Sequence, residues 1–107
     1  LGFQGVVITD DLEMGAVLKN YGIGEACKLA LNAGADMLAI CNNSENIRIG
    51  YKAVLEAVQT GEISEHRIND SLKRIGSVKN LIKSTLPFEK SRLSELSNEI
   101  VKLKEQN

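Results

Sequence analysis

Val6, Val7 and Ile8 form an unbroken β-branched run that leads through Thr9 into two adjacent carboxylates, Asp10 and Asp11. A continuous apolar run of this kind reads as a strand over residues 5–9 buried on both faces, the habit of parallel sheets covered by helices. Folds of that α/β class keep their active sites at the carboxyl ends of the strands. Two charges at the mouth of a dry strand cost free energy unless a partner or a reaction uses them. Asp10 and Asp11 are therefore the first candidates for chemistry.

Helical patterns alternate with strands through the first half of the chain. Leu12, Val17 and Leu18 mark a short helix, with Asp10 or Asp11 available as its N-cap. Asn20-Tyr21-Gly22 interrupts it, and a second helix runs from about Ile23 to Ala33. Its small face, Ala26, Cys27, Ala30 and Leu31, predicts close packing against a sheet, with Gly34 as C-terminal cap. Asp36 to Cys41 is the second buried strand, followed by Asn42-Asn43-Ser44 at its carboxyl end. A helix from about Glu45 to Thr60 carries Ile47, Tyr51, Val54, Leu55 and Val58 and stops at Gly61. A connection that long, with helix inside it, predicts a βαβ unit with parallel strands.

From Ser64 onward the pattern is helical throughout. Ser64 is a good N-cap, and Ile68, Leu72, Ile75, Val78 and Ile82 form an apolar stripe that ends at Leu86-Pro87. A last helix from about Ser91 carries Leu93, Leu96, Ile100 and Leu103 at 3-4-3 spacing. That stripe is too short for a coiled coil and is expected to dock on the body.

A chain of 107 residues is enough for one small domain. Its net charge of -1, with acids and bases interspersed, argues against nucleic acid or an anionic membrane as partner. Two Tyr, two Phe and no Trp give no stacking platform for bases. No apolar run approaches the roughly 20 residues of a bilayer span. Cys27 and Cys41 read as small buried hydrophobes, with a disulfide between them left open. The chain opens at Leu1-Gly2-Phe3, close to a buried strand. Two parallel strands do not make a stable sheet alone. Both features predict a piece of a longer polypeptide, with any targeting segment upstream and the compartment left open.

The segment Gly2-Phe3-Gln4-Gly5-Val6-Val7-Ile8-Thr9-Asp10-Asp11-Leu12-Glu13-Met14 resembles the nucleophile motif of family 3 glycoside hydrolases. The likeness is to the β-N-acetylglucosaminidase (β-hexosaminidase) branch, where Gly-Phe-x-Gly-Val-(Val/Ile)-x-(Ser/Thr)-Asp-Asp-Leu-x-Met recurs. It continues through Asn32-Ala33-Gly34-Ala35-Asp36-Met37, Cys41-Asn42-Asn43, Gly61-Glu62-Ile63-Ser64, Arg67-Ile68 and Arg74-Ile75, to about Leu81. The resemblance implies the C-terminal portion of a (β/α)8 TIM-type barrel over residues 1–86, with the two strands as its seventh and eighth. Residues 87–107 would be a helical tail outside the family pattern. A whole barrel needs about 250 residues.

The resemblance further implies a retaining β-N-acetylhexosaminidase, with Asp10 as the carboxylate that attacks the anomeric carbon of a terminal β-linked N-acetylglucosamine. Asp11 would be structural. The family's proton donor, a His–Asp pair on a loop near a Lys-His-Phe-Pro-Gly-type stretch, has no counterpart in this sequence, so the piece alone is expected to be inactive. The expected partner is an N-acetylglucosamine-containing saccharide from peptidoglycan or chitin, with no metal or organic cofactor.

Plainer readings stand beside these. Asp10 could be a helix cap. Asn42 could contact sugar, but Asn42, Asn43 and Ser44 are equally explained as helix caps. His66, the only histidine, sits in a polar helix start and lacks partners for a metal site. Tyr21-Gly22-Ile23-Gly24 lacks the third glycine of a dinucleotide loop. Met14 and Met37 read as core, and the bases from Lys73 to Lys90 as a solvated face. A second class of function is a helical interaction module that self-associates through bare barrel faces and the Leu93–Leu103 stripe.

Overall fold

The computed structural model describes residues 2–82 and 87–105. The elements run β1 (Ile8–Asp11), α1 (Gly15–Leu18), α2 (Ile23–Asn32), β2 (Met37–Ala39), α3 (Ser44–Gln59), α4 (Glu65–Lys79) and α5 (Lys90–Glu105). β1 and β2 pair in parallel, with α1 and α2 in the crossover between them, so the βαβ unit is present.

The strands differ from the sequence expectation in position and in cover. β1 begins at Ile8 and contains both acids, and β2 is limited to Met37–Ala39. Upstream, the first strand is tied to the second through Val7, whose carbonyl accepts from the N–H groups of Asp36 and Met37 at 2.7 and 3.1 Å. Only one face is covered. Leu38 and Ile40 pack with Leu12, Ile23, Cys27 and Val54. Ile8 and Met37, paired across the strands, remain 59% and 42% exposed on the face away from Leu38 and Ile40, and Val7, upstream of β1, is 43% exposed. Met14 and Cys41, expected in the core, are exposed as well.

β1 carries an irregularity. Ile8 faces Met37 and Asp11 faces Ala39, so β1 has one more residue between the paired positions than β2. Such bulges bend a strand and re-aim its side chains, often beside active sites. The Ala39 N–H donates to Thr9 Oγ1 at 2.9 Å, and the Ala39 carbonyl accepts from the Leu12 N–H at 3.0 Å.

The small residues of α2 serve the contact with α3 as well as with the sheet. A Cβ at Gly50 would lie 2.8 Å from Cys27 Sγ and 3.0 Å from Ile40 Cδ1, so only glycine fits at this crossing. Leu31, Ala57 and Ile63 form the adjoining core, with Leu38, Val58 and Ile68 against it. Gly34 ends α2 at φ 110°, the left-handed region that glycine alone enters without strain. Ser64 caps α4 as expected, its side chain accepting the Arg67 N–H at 3.2 Å.

Helices α4 and α5 pack less than their stripes predict. Ile68 reaches the core, but Leu72 and Val78 are 57% and 46% exposed. α4 ends at Lys79, and the expected stop at Leu86 lies outside the described residues. α5 buries none of its residues, so the expectation that it docks on the body is not met. Leu93, Leu96, Ile100 and Leu103 are all exposed. The helix is supported along its own surface, with Arg92 paired to Glu95 at 3.1 Å.

Candidate active site at the carboxyl ends of the strands

Asp10 is the penultimate residue of β1, and with Ile8 it falls on the exposed side of the strand's in–out alternation. Its Oδ1 accepts the backbone N–H of Asp11 at 2.8 Å. Its Oδ2 has no partner among the described residues. One oxygen is thus tethered and the other is free on the uncovered face. An oxygen left free in this way is open to a ligand on that face.

Asp11 points the other way. Its Oδ1 accepts from the N–H groups of Glu13 at 3.0 Å and Cys41 at 3.3 Å. It holds the turn after β1 and ties that turn to the end of β2, a structural role as expected. Neither acid caps α1, because the N-cap position belongs to Met14, which makes no side-chain cap.

Glu13 emerges as a site residue that pattern reading passed over. Its carboxylate accepts the backbone N–H of Asn42 at 2.5 Å, that of Asn43 at 3.1 Å, and Nδ2 of Asn46 at 2.7 Å. Those bonds, from the Asn46 side chain first and the Asn42 backbone next, hold its pKa below the ordinary carboxylate value. The sequence offered one signal: a third acid two residues beyond Asp11.

The loop after β2 is therefore laid against the exit of β1. Asn42 is held there by its backbone. Asn43 is an N-cap, its side chain accepting the Glu45 N–H at 2.9 Å. Partial desolvation and the charges of Asp11, Glu13 and Asp10 raise the pKa of the Cys41 thiol, so it is not an activated nucleophile. His66 stands apart at the start of α4, its side chain 85% exposed and 3.2 Å from Asp70. No cluster of three His, Cys, Asp or Glu side chains suited to a metal occurs among the described residues. No described helix is long and apolar enough to cross a membrane.

The opposite end of the strands holds a second charge cluster. Asp36, just before β2, has a fully buried side chain. It accepts from Arg74 Nη2 at 2.6 Å, Arg74 Nε at 3.0 Å, Ser71 Oγ at 2.6 Å and the Val7 N–H at 3.0 Å. The Arg74 guanidinium holds the Asp36 carboxyl far below its usual range. Arg67 sits 3.5 Å from the same carboxylate and donates to the carbonyls of Leu31 at 3.0 Å and Ala35 at 2.6 Å. Three pieces of the sequence motif, around Asp36, Arg67 and Arg74, are thus one network.

Residues 1–78 match the family described as "Glycosyl hydrolase family 3 N terminal domain". The chain belongs to that family. It is 43% identical over 58 residues to a β-hexosaminidase of Tolumonas auensis, covering 54% of this chain and 16% of that protein. Its fold overlays a family 3 β-N-acetylglucosaminidase of Paenibacillus sp. str. FPU-7 with a TM-score of 0.75 and 36% identity, covering 83% of this chain and 18% of that one. The β-N-acetylglucosaminidase of Thermotoga maritima aligns with a TM-score of 0.70 and 27% identity, over 78% and 19% of the two chains. The chain therefore spans under a fifth of the length of each of these relatives.

Proposed function

We propose that residues 1–86 contribute the seventh and eighth strands of a (β/α)8 barrel in a retaining β-N-acetylglucosaminidase, with Asp10 as its nucleophile and residues 87–107 as a helical tail. The observation that carries this reading is the placement of Asp10: at a strand's carboxyl end, on the uncovered face, with Oδ2 free. The free oxygen attacks the anomeric carbon of a terminal N-acetylglucosamine while the leaving oxygen takes a proton from an acid elsewhere in the barrel. Water then hydrolyses the glycosyl ester. Asp10 Oδ1, fixed by the Asp11 N–H, keeps the carboxylate from rotating away between the two steps. The proton donor is supplied elsewhere in the barrel in this reading, so the segment alone is expected to be inactive. In this reading Asn42, on the loop that follows β2, would contact the sugar.

The test is the full barrel polypeptide containing this segment, assayed on a chromogenic N-acetylglucosaminide. Asp10→Asn should abolish turnover and leave the thermal midpoint unchanged. A variant turning over at near-normal rate overturns the assignment.

A second reading follows from the bare apolar surface: Ile8 and Met37 on the sheet, and Phe88, Leu93 and Leu96 beside Pro87 on the tail. As an isolated chain it would self-associate through these faces. Sedimentation measures this directly, and a monomer at high concentration rules it out.

A further inference from the structure

Beyond the irregularity in β1, the two strands are joined mainly by side chains. Thr9 and Asp11 share the less exposed side of β1, and Glu13 lies in the turn that follows it; all three are half-buried. Thr9 Oγ1 takes the N–H of Ala39, Asp11 Oδ1 that of Cys41, and Glu13 those of Asn42 and Asn43. A regular parallel ladder would satisfy such donors with strand carbonyls. A hydroxyl or carboxylate reaches farther from its own backbone than a carbonyl does, so the first strand can bow away from the second while remaining tied to it. Asp10 sits at the crest of that bow, between Thr9 and Asp11, with its side chain on the opposite face.

We infer that Thr9 and Glu13 are positioning residues for Asp10, holding the backbone on either side of it so that its free oxygen is aimed at the sugar carbon. The inference rests on Asp10 being the nucleophile. Thr9 fixes the strand at the residue before Asp10, and Glu13 fixes the turn that follows. Neither side chain faces the sugar, so their loss disturbs aim rather than contact. Misplacement of a reacting group by about 1 Å costs roughly a hundredfold in rate.

The experiment compares Thr9→Val, Thr9→Ser, Glu13→Ala, Glu13→Gln and Asp10→Asn in the full barrel enzyme. Steady-state kinetics and thermal midpoint are recorded for each. The inference expects kcat to fall about tenfold to a hundredfold in Thr9→Val and Glu13→Ala with KM within twofold. Thr9→Ser, which keeps the acceptor oxygen, should recover most of the rate, and Glu13→Gln part of it. Glu13→Ala carries the test if Thr9→Val does not fold. If Asp10→Asn is inactive while Thr9→Val and Glu13→Ala turn over like the parent, the ladder is overturned and the nucleophile stands. A kcat loss matched by an equal loss of folded enzyme overturns positioning as well. An active Asp10→Asn overturns both.

Discussion

The two ends of the strand pair handle charge in opposite ways. At the amino ends, Asp36 is buried, and each of its oxygens is answered by Arg74, with Ser71, Val7 and Arg67 completing the shell. At the carboxyl ends, Asp11 and Glu13 are answered by backbone and amide N–H groups, while Asp10 keeps one oxygen unpaired on an open face. The first arrangement uses charge to lock α4 beneath the sheet. The second uses charge to fix the surroundings of a carboxylate with one oxygen unpartnered among the described residues. In barrels the amino-terminal face is devoted to stability and the carboxyl-terminal face to chemistry. Under the proposed barrel reading, one end of this strand pair would fall in each division.

Substitutions can break that comparison. Asp10→Asn in the complete enzyme should lower kcat by about 10⁴-fold or more with no change in denaturation midpoint. Asp36→Ala should do the reverse. It orphans the Arg74 guanidinium and the Val7 N–H, and should cost about 3 kcal/mol of stability, read from a urea titration, with kcat per folded molecule retained. A large kcat loss in Asp36→Ala without unfolding would show that the two ends are not separate in function.

The same ion pair sets a pH dependence. The folded-state pKa of Asp36 lies below its unfolded value, so its stabilising contribution is complete above about pH 4. It drains away as pH falls further and Asp36 takes up a proton. Denaturation midpoints should therefore drop between about pH 4 and pH 2, and this drop should be shallower in Asp36→Asn.

Smaller effects sharpen the picture of what supports both ends. Gly50→Ala forces a methyl against Cys27 and Ile40 and should cost about 1–3 kcal/mol, measured by thermal unfolding. Ser64→Ala removes the α4 cap and should cost about 1 kcal/mol, with Arg67 and Arg74 still in place.

Much was legible where the determinants are local. The apolar run into Asp10, the cap at Ser64 and the glycine at position 34 are written within a few residues of where they act. The Asp36 network was not legible, because Asp36 meets Ser71 and Arg74 across more than thirty residues. Asp36 and Arg74 appeared in the motif, but nothing in the spacing joined them to each other or to Ser71. Glu13 was missed for the same reason, since its partners lie 29–33 residues on. The tail misled in the other direction. Its 3-4-3 stripe has the pattern of a docked helix, but pattern states only that a face is apolar, and the body offers it no cover.

The most direct test of the account is to trap the covalent intermediate. The full barrel enzyme, treated with a slow fluorinated N-acetylglucosaminyl substrate and digested, should yield one labelled peptide, carrying the sugar on Asp10. A label on any other residue, or complete turnover with no labelled peptide under conditions that accumulate the ester, would contradict it.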